Sequence, residues 1–215
     1  MIARYAMHEK SKLIQWQPTP ETDRLSQLLQ RRHRLVAAQK MLAQSLAGMS
    51  GLKAERDKLI TSLKRMIDNL ELLMRAELAR TPALGALHRR LCTIVGVGFV
   101  VAAQLVAALT RHRFRSVDAF IAYTGLDPRP DDSGQRRGRR RLSKCGPALL
   151  RHHLYNGGMS ACNSKVFKPL YLGLRARGLQ STEAIVIVSR KLARIAFALY
   201  RSGETFDATK HPKTT

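Results

Sequence analysis

One stretch, from Leu52 to Arg80, indicates a mainly helical fold for this chain: L-K-A-E-R-D-K-L-I-T-S-L-K-R-M-I-D-N-L-E-L-L-M-R-A-E-L-A-R. Its apolar residues recur at alternating steps of three and four: Ile60, Leu63, Ile67, Leu70 and Met74. That spacing is typical of a coiled-coil seam on one face of an α-helix. Thr81-Pro82 follows as a stop signal. The pattern predicts a long helix that needs an apolar partner.

The preceding stretch, 23–47, supplies such a partner. Its apolar stripe continues into the residues that follow it: Leu25, Leu28, Leu35, Leu42, Leu46 and Met49. Gly48-Met49-Ser50-Gly51 then breaks the helix, so the two helices are expected to form an antiparallel hairpin over 23–82. Two alternatives stay open: an ordinary helix pair within one chain, or a coiled coil that joins chains into a homo-oligomer.

The charge balance points to a polyanionic partner. Lys and Arg number 38 against 15 Asp and Glu, a formal net charge of +23. Basic groups that neutralise phosphates release counterions, which favours nucleic-acid binding. A merely solvated basic surface is the alternative, and an anionic membrane surface is less favoured.

No targeting or membrane segment is expected. Met1 to Lys10 lacks the apolar stretch of a signal peptide. The longest apolar run, Ile94 to Leu109, is interrupted by polar residues and glycines and is shorter than the roughly 20 residues of a spanning helix. We therefore expect a cytoplasmic protein that does not bind membranes.

The cysteines and histidines predict no metal site. Cys92, Cys145 and Cys162 are widely spaced and odd in number, which favours reduced thiols over a disulfide framework or a zinc site. The seven histidines have no metal-ligand spacing, and the adjacent His152 and His153 are expected on different helix faces.

A glycine-containing turn opens the next region. Ile94-Val95-Gly96-Val97-Gly98 precedes the apolar helix Phe99 to Leu109, a pattern typical of a helix-hairpin-helix. Gly96 and Gly98 could let the backbone approach a phosphate, which the free N–H groups of the helix start would bind. A tight turn without a ligand is the alternative. Ser116 is the predicted N-cap of a further short helix that ends at Tyr123.

The segment D-P-R-P-D-D-S-G-Q-R-R-G-R-R-R-L-S-K-C-G, Asp127 to Gly146, is the most unusual part of the chain. Its turn formers exclude a long helix, and small strands are expected around 127–143. Its cations are predicted to grip a nucleic-acid backbone: Arg136, Arg137, Arg139, Arg140, Arg141 and Lys144. The alternative is a solvated loop.

The remainder, Pro147 to Tyr200, is predicted to be helical. The last helix has Ser181 as its expected cap, Glu183 in its first turn and Gly203 at its end. Its outer face carries three further candidate nucleic-acid contacts, or else a solvated basic face: Arg190, Lys191 and Arg194. The expected fold is mainly α: a linker over 1–22, the hairpin over 23–82, a compact helical domain over 88–207 and a disordered tail over 208–215.

Five motifs in this order resemble the insertion-sequence one-ten family of transposases, relatives of the Piv DNA invertases. They are I-V-G-V-G-F-V-V-A-A (Ile94 to Ala103), F-I-A-Y-T-G-L-D-P-R (Phe120 to Arg129), S-G (Ser133-Gly134), L-S-K-C-G (Leu142 to Gly146) and S-R-K-L-A-R-I-A-F-A-L-Y (Ser189 to Tyr200). The resemblance covers about 91–207, and the helical hairpin precedes it where the family carries a coiled coil.

The resemblance implies a DNA transposase or site-specific recombinase, guided in some members by a structured RNA. The family pairs a RuvC-like domain, whose acidic residues bind a divalent metal, with a domain that supplies a serine nucleophile next to a glycine. The position that matches this serine is Ser133.

The match fails at the beginning of the chain. The family's metal-binding domain precedes a stretch like A-R-Y-A, which here starts at Ala3. The acids that hold a metal such as Mg²⁺ are therefore expected upstream, because Asp131 and Asp132, adjacent in a basic loop, do not make a two-metal site. We expect a truncated chain, a misassigned start or one component of a pair, without a cofactor of its own. The alternatives are a catalytically inert module that binds nucleic acid and oligomerises, and a structural basic protein.

Overall fold

The computed structural model describes residues 20–129, 132–133, 136–137 and 141–210, and most of them are helical. Within these ranges, eight α-helices follow one another: α1 Pro20–Ser45, α2 Lys53–Arg80, α3 Pro82–Leu91, α4 Phe99–Arg111, α5 Val117–Thr124, α6 Ala148–Cys162, α7 Lys168–Ala176 and α8 Ser181–Ser202. Four two-residue strands lie between α5 and α6: β1 Pro128–Arg129, β2 Asp132–Ser133, β3 Arg136–Arg137 and β4 Arg141–Leu142. The mainly α fold class is confirmed.

Helices α1 and α2 form an antiparallel hairpin. Arg32 Nε donates to Glu71 Oε1 over 2.7 Å, and Gln39 Nε2 donates to the carbonyl oxygen of Ile60 over 3.3 Å. The partner on α2 moves back along the chain as the residue on α1 moves forward, which is the antiparallel arrangement that the sequence predicts. A short 3-10 helix, Ser50–Leu52, connects the two.

Burial of the predicted stripe is graded along the hairpin. Leu25, Leu28 and Met74 are buried near its base, whereas Leu35 and Leu42 are half-buried further out. Met49 is 50% exposed because α1 ends at Ser45, so its predicted place on the stripe is wrong. The hairpin is therefore anchored at one end, where its core joins that of the rest of the chain.

Helix α4 is the centre of the compact region. Every residue from Ala102 to Leu109 is buried, and the helix packs against α1, α3 and α6. Helix α8 covers the other side, where it packs on α5, α6 and α7. The run that the sequence marked as the longest apolar stretch is thus the core helix. In the described part of the chain, none of the helices is both long and apolar enough to cross a membrane.

Two prolines begin helices where the sequence predicted breaks. Pro82 opens α3, a helix that the sequence analysis missed, and Pro20 opens α1. Proline at the first helical position costs little, because its missing N–H would have no intrahelical acceptor there. A stop signal for one helix is in this chain also the start of the next.

Caps were predicted with mixed success. Ser116 caps α5 by accepting from the N–H of Ala119 over 3.1 Å, and Gly203 ends α8 at φ +80°, both as expected. The cap of α8 is Gln180, whose N–H donates to the Glu183 carboxylate over 2.9 Å. The predicted cap Ser181 instead lies 3.0 Å from the hydroxyl of Tyr171, so that assignment is wrong by one residue.

The chain turns back on itself after α8. The N–H of Phe206 donates to Thr93 Oγ1 over 2.9 Å, and the Phe206 ring stacks on Phe167. Residues 208–210 form a 3-10 turn, and 211–215 lie outside the described residues.

Candidate functional site: a basic arm and its base

A paired arm leaves the compact region between α5 and α6. Strand β1 pairs antiparallel with β4, with Pro128 opposite Leu142. Strand β2 pairs antiparallel with β3, with Asp132 opposite Arg137 and Ser133 opposite Arg136. The small strands expected around 127–143 are confirmed, and Ser133 is the last paired residue of its strand. We call residues 128–142 the serine arm.

For most of the described residues of the serine arm, the structure describes the main chain alone. Two of the predicted site residues, Arg139 and Arg140, lie outside the described residues, as does Gly134 of the S-G motif. For Ser133, Arg136, Arg137 and Arg141 the register describes the main chain alone. That register is informative, because directly opposed residues in an antiparallel pair have their Cβ atoms about 5 Å apart. Arg136 is thereby the cross-strand neighbour of Ser133.

The two ends of the serine arm meet in a set of hydrogen bonds. The N–H of Ser143 donates to the carbonyl oxygen of Asp127 over 2.9 Å, and the N–H of Lys144 donates to that of Gly125 over 3.2 Å. The Ser143 hydroxyl also donates to the Asp127 carboxylate, and the same hydroxyl oxygen accepts from the N–H of Cys145 over 3.4 Å. We call this set the arm base.

Helix α6 contributes one side chain to the arm base. Arg151 Nη1 donates to the carbonyl oxygen of Gly146 over 3.2 Å and to that of Thr124 over 3.4 Å. Thr124 precedes the arm base in the chain and Gly146 follows it. A single half-buried guanidinium therefore contacts both chain segments that carry the serine arm.

The backbone at the arm base is unusual. Lys144 has φ +52°, the one positive φ of a non-glycine residue in the ranges that the structure describes. A Cβ on Gly146 would lie 1.8 Å from the carbonyl oxygen of Tyr123, so only glycine fits there. The left-handed conformation costs Lys144 about 1 kcal/mol or more, which the surrounding hydrogen bonds offset. Its side chain is exposed, as a predicted phosphate contact requires.

The glycine turn before α4 has two different glycines. Gly96 has φ +90°, and a Cβ there would lie 2.7 Å from both the Ala161 Cβ and the Gly157 carbonyl oxygen of α6. Gly98 is exposed at the N-cap of α4, with no atom within 4 Å of such a Cβ. The structure thus gives Gly96 a packing role that the sequence did not indicate. A phosphate contact remains a prediction for both glycines.

The three cations predicted on α8 are not equivalent. Arg194 is exposed, and its Nη2 lies 2.7 Å from Oδ1 of Asp118 on α5. Arg190 and Lys191 are half-buried. Arg194 therefore ties α8 to the helix that leads into the serine arm.

A histidine cluster lies at the junction of α1, α4 and α6, and the sequence did not indicate it. The His33 ring is 5.0 Å from that of His152 and 6.3 Å from that of His153. The two adjacent histidines differ in burial, since His152 is exposed and His153 is buried, yet both rings lie near that of His33. Buried His153 contacts Gln104 Oε1 through Nδ1 over 3.3 Å. Burial, with His152, His33 and Arg32 nearby, lowers the pKa of His153 to about 4.

Metal ligation and thiol chemistry are two further possibilities for the described residues. Over the described ranges, no group of three or more His, Cys, Asp or Glu residues could hold a metal ion. All three cysteines are free, and burial raises the pKa of the Cys92 and Cys162 thiols, which disfavours their thiolate forms.

Comparison with known proteins agrees with the motif analysis. Residues 88–172 match the sequence model of a family described as Transposase IS116/IS110/IS902 family. That region runs from within α3 to within α7 and contains the serine arm and its base. The chain is also 26% identical over 217 residues to the pilin gene-inverting protein of Moraxella bovis. The alignment covers 98% of this chain and 67% of that relative, and the predicted resemblance is confirmed.

Proposed function

Because residues 88–172 carry a domain of the IS116/IS110/IS902 transposase family, we propose that this chain binds DNA and supplies the nucleophilic serine of a transposase or site-specific recombinase. The observation that carries the proposal is the place of Ser133 at the last paired position of the serine arm, opposite Arg136. A hydroxyl presented on an arm, with cations on the facing strand, suits attack on a phosphodiester.

The proposed step is a transesterification. The bond from Ser133 Oγ to phosphorus forms while the bond from phosphorus to one deoxyribose oxygen breaks. The proton of the serine hydroxyl ends on the released deoxyribose hydroxyl, so that no water and no nucleotide are consumed. The covalent phosphoserine ester keeps the energy of the broken bond, and the reverse step rejoins DNA to a new partner end. The arginines of the arm would stabilise the negative charge that develops on the phosphoryl oxygens.

DNA binding is proposed to depend on the same arm. The chain carries a net charge of +23, and seven of its cations fall within Asp127 to Gly146. Such contacts release counterions, so the affinity for duplex DNA should fall steeply with salt. Reversing the charge of Arg139 and Arg140 should weaken binding whether or not Ser133 reacts. Competition with structured RNA from the same element would test the guide RNA that the resemblance implies.

A divalent metal does not fit the residues that the structure describes. In those ranges no acidic cluster could hold an ion, and Asp132 is known only by its place in β2. We place any Mg²⁺ of the complete reaction on residues outside the described ranges or on a second polypeptide. No step of the serine transesterification above is routed through the ion.

A specific observation favours the alternative function, an oligomerising module. Helix α2 has a second apolar stripe on its outer face, with residues seven apart that are 43–50% exposed: Leu59, Met66 and Leu73. Leu52, which is 42% exposed at the end of the preceding 3-10 helix, continues the same spacing. Part of it lines a groove with Leu35 of α1, flanked by Arg31 and Arg34. A heptad stripe matches another helix of the same kind. We therefore propose that a second copy of this chain covers this outer stripe.

The deciding experiment is a search for a covalent protein–DNA adduct. Purified chain, with the partner that supplies the metal if one is needed, is incubated with nicked element-end duplexes and analysed by denaturing gel and mass spectrometry. We expect an adduct on the peptide that contains Ser133, and its loss in Ser133→Ala but not in the matched control Ser45→Ala. Tight, salt-sensitive binding without any adduct, unchanged in Ser133→Ala, would leave the binding and oligomerising module as the function.

A further inference from the structure

The serine arm has little stability of its own. Ser133 lies six residues beyond Asp127, a length of extended chain that spans at most about 20 Å. In the described part of the arm, two pairs of two-residue strands join its two sides. An isolated two-stranded ribbon is at best marginally stable in water. The pose of Ser133 therefore depends on how firmly the arm is held where it leaves the compact region.

The length of the arm determines how far Ser133 moves when the arm rotates at its base. A rotation of about 10° at the base would displace the end of a 20 Å arm by about 3 Å. Catalytic groups lose about a hundredfold in rate when they are misplaced by about 1 Å. Small changes at the arm base should thus have large effects on the reaction of Ser133 and small effects on the binding of DNA by charge.

Asp127 and Ser143 join the two ends of the arm, directly before β1 and directly after β4. Their backbones are joined by the N–H of Ser143, and their side chains by the bond from the Ser143 hydroxyl to the Asp127 carboxylate. The Ser143 oxygen then accepts from Cys145, which fixes the returning chain one step further on. Hydrogen bonds to a charged carboxylate are stronger than those between neutral groups. Asp127 and Ser143, 16 positions apart, are therefore joined by one backbone and one side-chain hydrogen bond.

Arg151 connects both chain segments that flank the arm to the compact region. Thr124 is the last residue of α5, and its carbonyl oxygen has no intrahelical N–H donor. Capping that helix is therefore the ordinary explanation of one contact. The second contact, to the carbonyl of Gly146, reaches a segment outside α5 and is not explained by capping. Arg151 belongs to α6, which packs against α4 and α8. The guanidinium thus connects the arm to the rigid helical core.

We propose that Arg151 and the Asp127–Ser143 pair are positioning residues, which keep the arm base closed and thereby hold Ser133 in one orientation. The inference rests on the proposed function for what Ser133 does, but the closed base itself does not depend on that chemistry. Lys144 supports the same conclusion, because its left-handed backbone is the shape that the returning strand needs in order to donate to Gly125.

The first test measures position without chemistry. Spin labels are placed at Ser133→Cys on the arm and at Met159→Cys, an exposed position on α6, with Cys92 and Cys145 changed to serine. Pulsed dipolar spectroscopy of the full chain should give one narrow distance distribution. We expect Arg151→Ala and Asp127→Ala to broaden it at least about twofold, since the arm then samples several orientations. Asp127→Asn keeps an acceptor oxygen for Ser143 and should restore the narrow distribution.

The second test measures the reaction. In Arg151→Ala and Asp127→Ala we expect the rate of adduct formation by Ser133 to fall about a hundredfold, while the Kd for duplex DNA changes less than about threefold. Thermal unfolding checks that each variant is folded, and Asp127→Asn is the rescue control. A distance distribution as narrow in Arg151→Ala as in the parent would overturn the positioning role. If the parent chain forms no adduct, the result counts against the proposed function. The distance measurement then decides the positioning role by itself.

Discussion

The Arg194 guanidinium lies 2.7 Å from the Asp118 carboxylate and so joins α8 to α5, although 76 residues separate the two in sequence. Asp118 is 76% exposed and Arg194 42%, and exposed pairs of this kind add little to stability. The pair therefore matters less for the fold than for the charge that Arg194 can offer to a phosphate.

We predict that Asp118→Asn raises the affinity for duplex DNA about twofold to threefold and steepens its salt dependence, because it releases one cation for phosphate contact. Fluorescence anisotropy over a range of salt concentrations measures both effects. Arg194→Ala in the same background should cancel the gain. Glu55→Gln, which removes an exposed acid at the start of α2, is the matched control for net charge. An equal gain in that control would show that the pair has no specific role.

The two glycines before α4 should respond in opposite ways to a methyl group. Gly96→Ala places a Cβ 2.7 Å from Ala161 and from the Gly157 carbonyl at φ +90°, so we predict a loss of stability of about 2 kcal/mol or more. Gly98→Ala meets open space at φ −84° and should change stability by less than about 1 kcal/mol. Urea unfolding followed by circular dichroism compares them. Full stability in Gly96→Ala with lost DNA binding would favour the phosphate role over the packing role.

His153 should make the fold sensitive to mild acid. Its folded pKa of about 4 lies below the ordinary 6.5, so the unfolded chain binds a proton in a range where the folded chain does not. The free energy of unfolding should therefore decrease as the pH falls from about 6.5 to about 4, by on the order of 3 kcal/mol in total for this group. Urea unfolding at a series of pH values measures the slope.

The matched variant for this slope is His153→Gln, which retains a hydrogen-bonding group for Gln104 without a titrating ring. We expect the slope to flatten in His153→Gln. The shift of His152 is also downward, through burial first and then His33 and Lys40, so some slope should remain. A slope that is unchanged in His153→Gln would assign the acid sensitivity to other groups.

Features that depend on near neighbours in the chain were predictable, and features that depend on distant ones were not. The heptad stripe predicted the hairpin, because helical periodicity is local, and Ser116 predicted its own cap for the same reason. The packing role of Gly96 depends on Ala161, and the fate of Arg194 depends on Asp118. The sequence around Gly96 or Arg194 does not indicate either of these distant partners. Pro82 was ambiguous in principle, since proline both ends one helix and begins another.

The same distinction applies to the candidate site. The run of arginines and the Ser133-Gly134 pair were evident from composition and from resemblance. The closure of the arm base was not, because Arg151 contacts Thr124 from 27 residues away and gives no signal of its own in the sequence. The proposed positioning residue is thus harder to predict from the sequence than the proposed nucleophile.

The outer stripe of α2 predicts an oligomer that should dissociate when charged residues are introduced into the stripe. Met66 and Leu73 are 50% and 48% exposed and lie on one face of α2, away from the buried seam residue Ile67. Two buried glutamates at these positions would cost several kcal/mol in an apolar interface but little in water. We therefore predict that Met66→Glu with Leu73→Glu shifts the chain from dimer or larger to monomer in sedimentation velocity, without loss of helicity. Leu172→Glu, at an equally exposed leucine of α7, is the control and should leave the assembly unchanged. A parent chain that sediments as a monomer at all concentrations would contradict self-association, and the hairpin would then be an ordinary intramolecular helix pair.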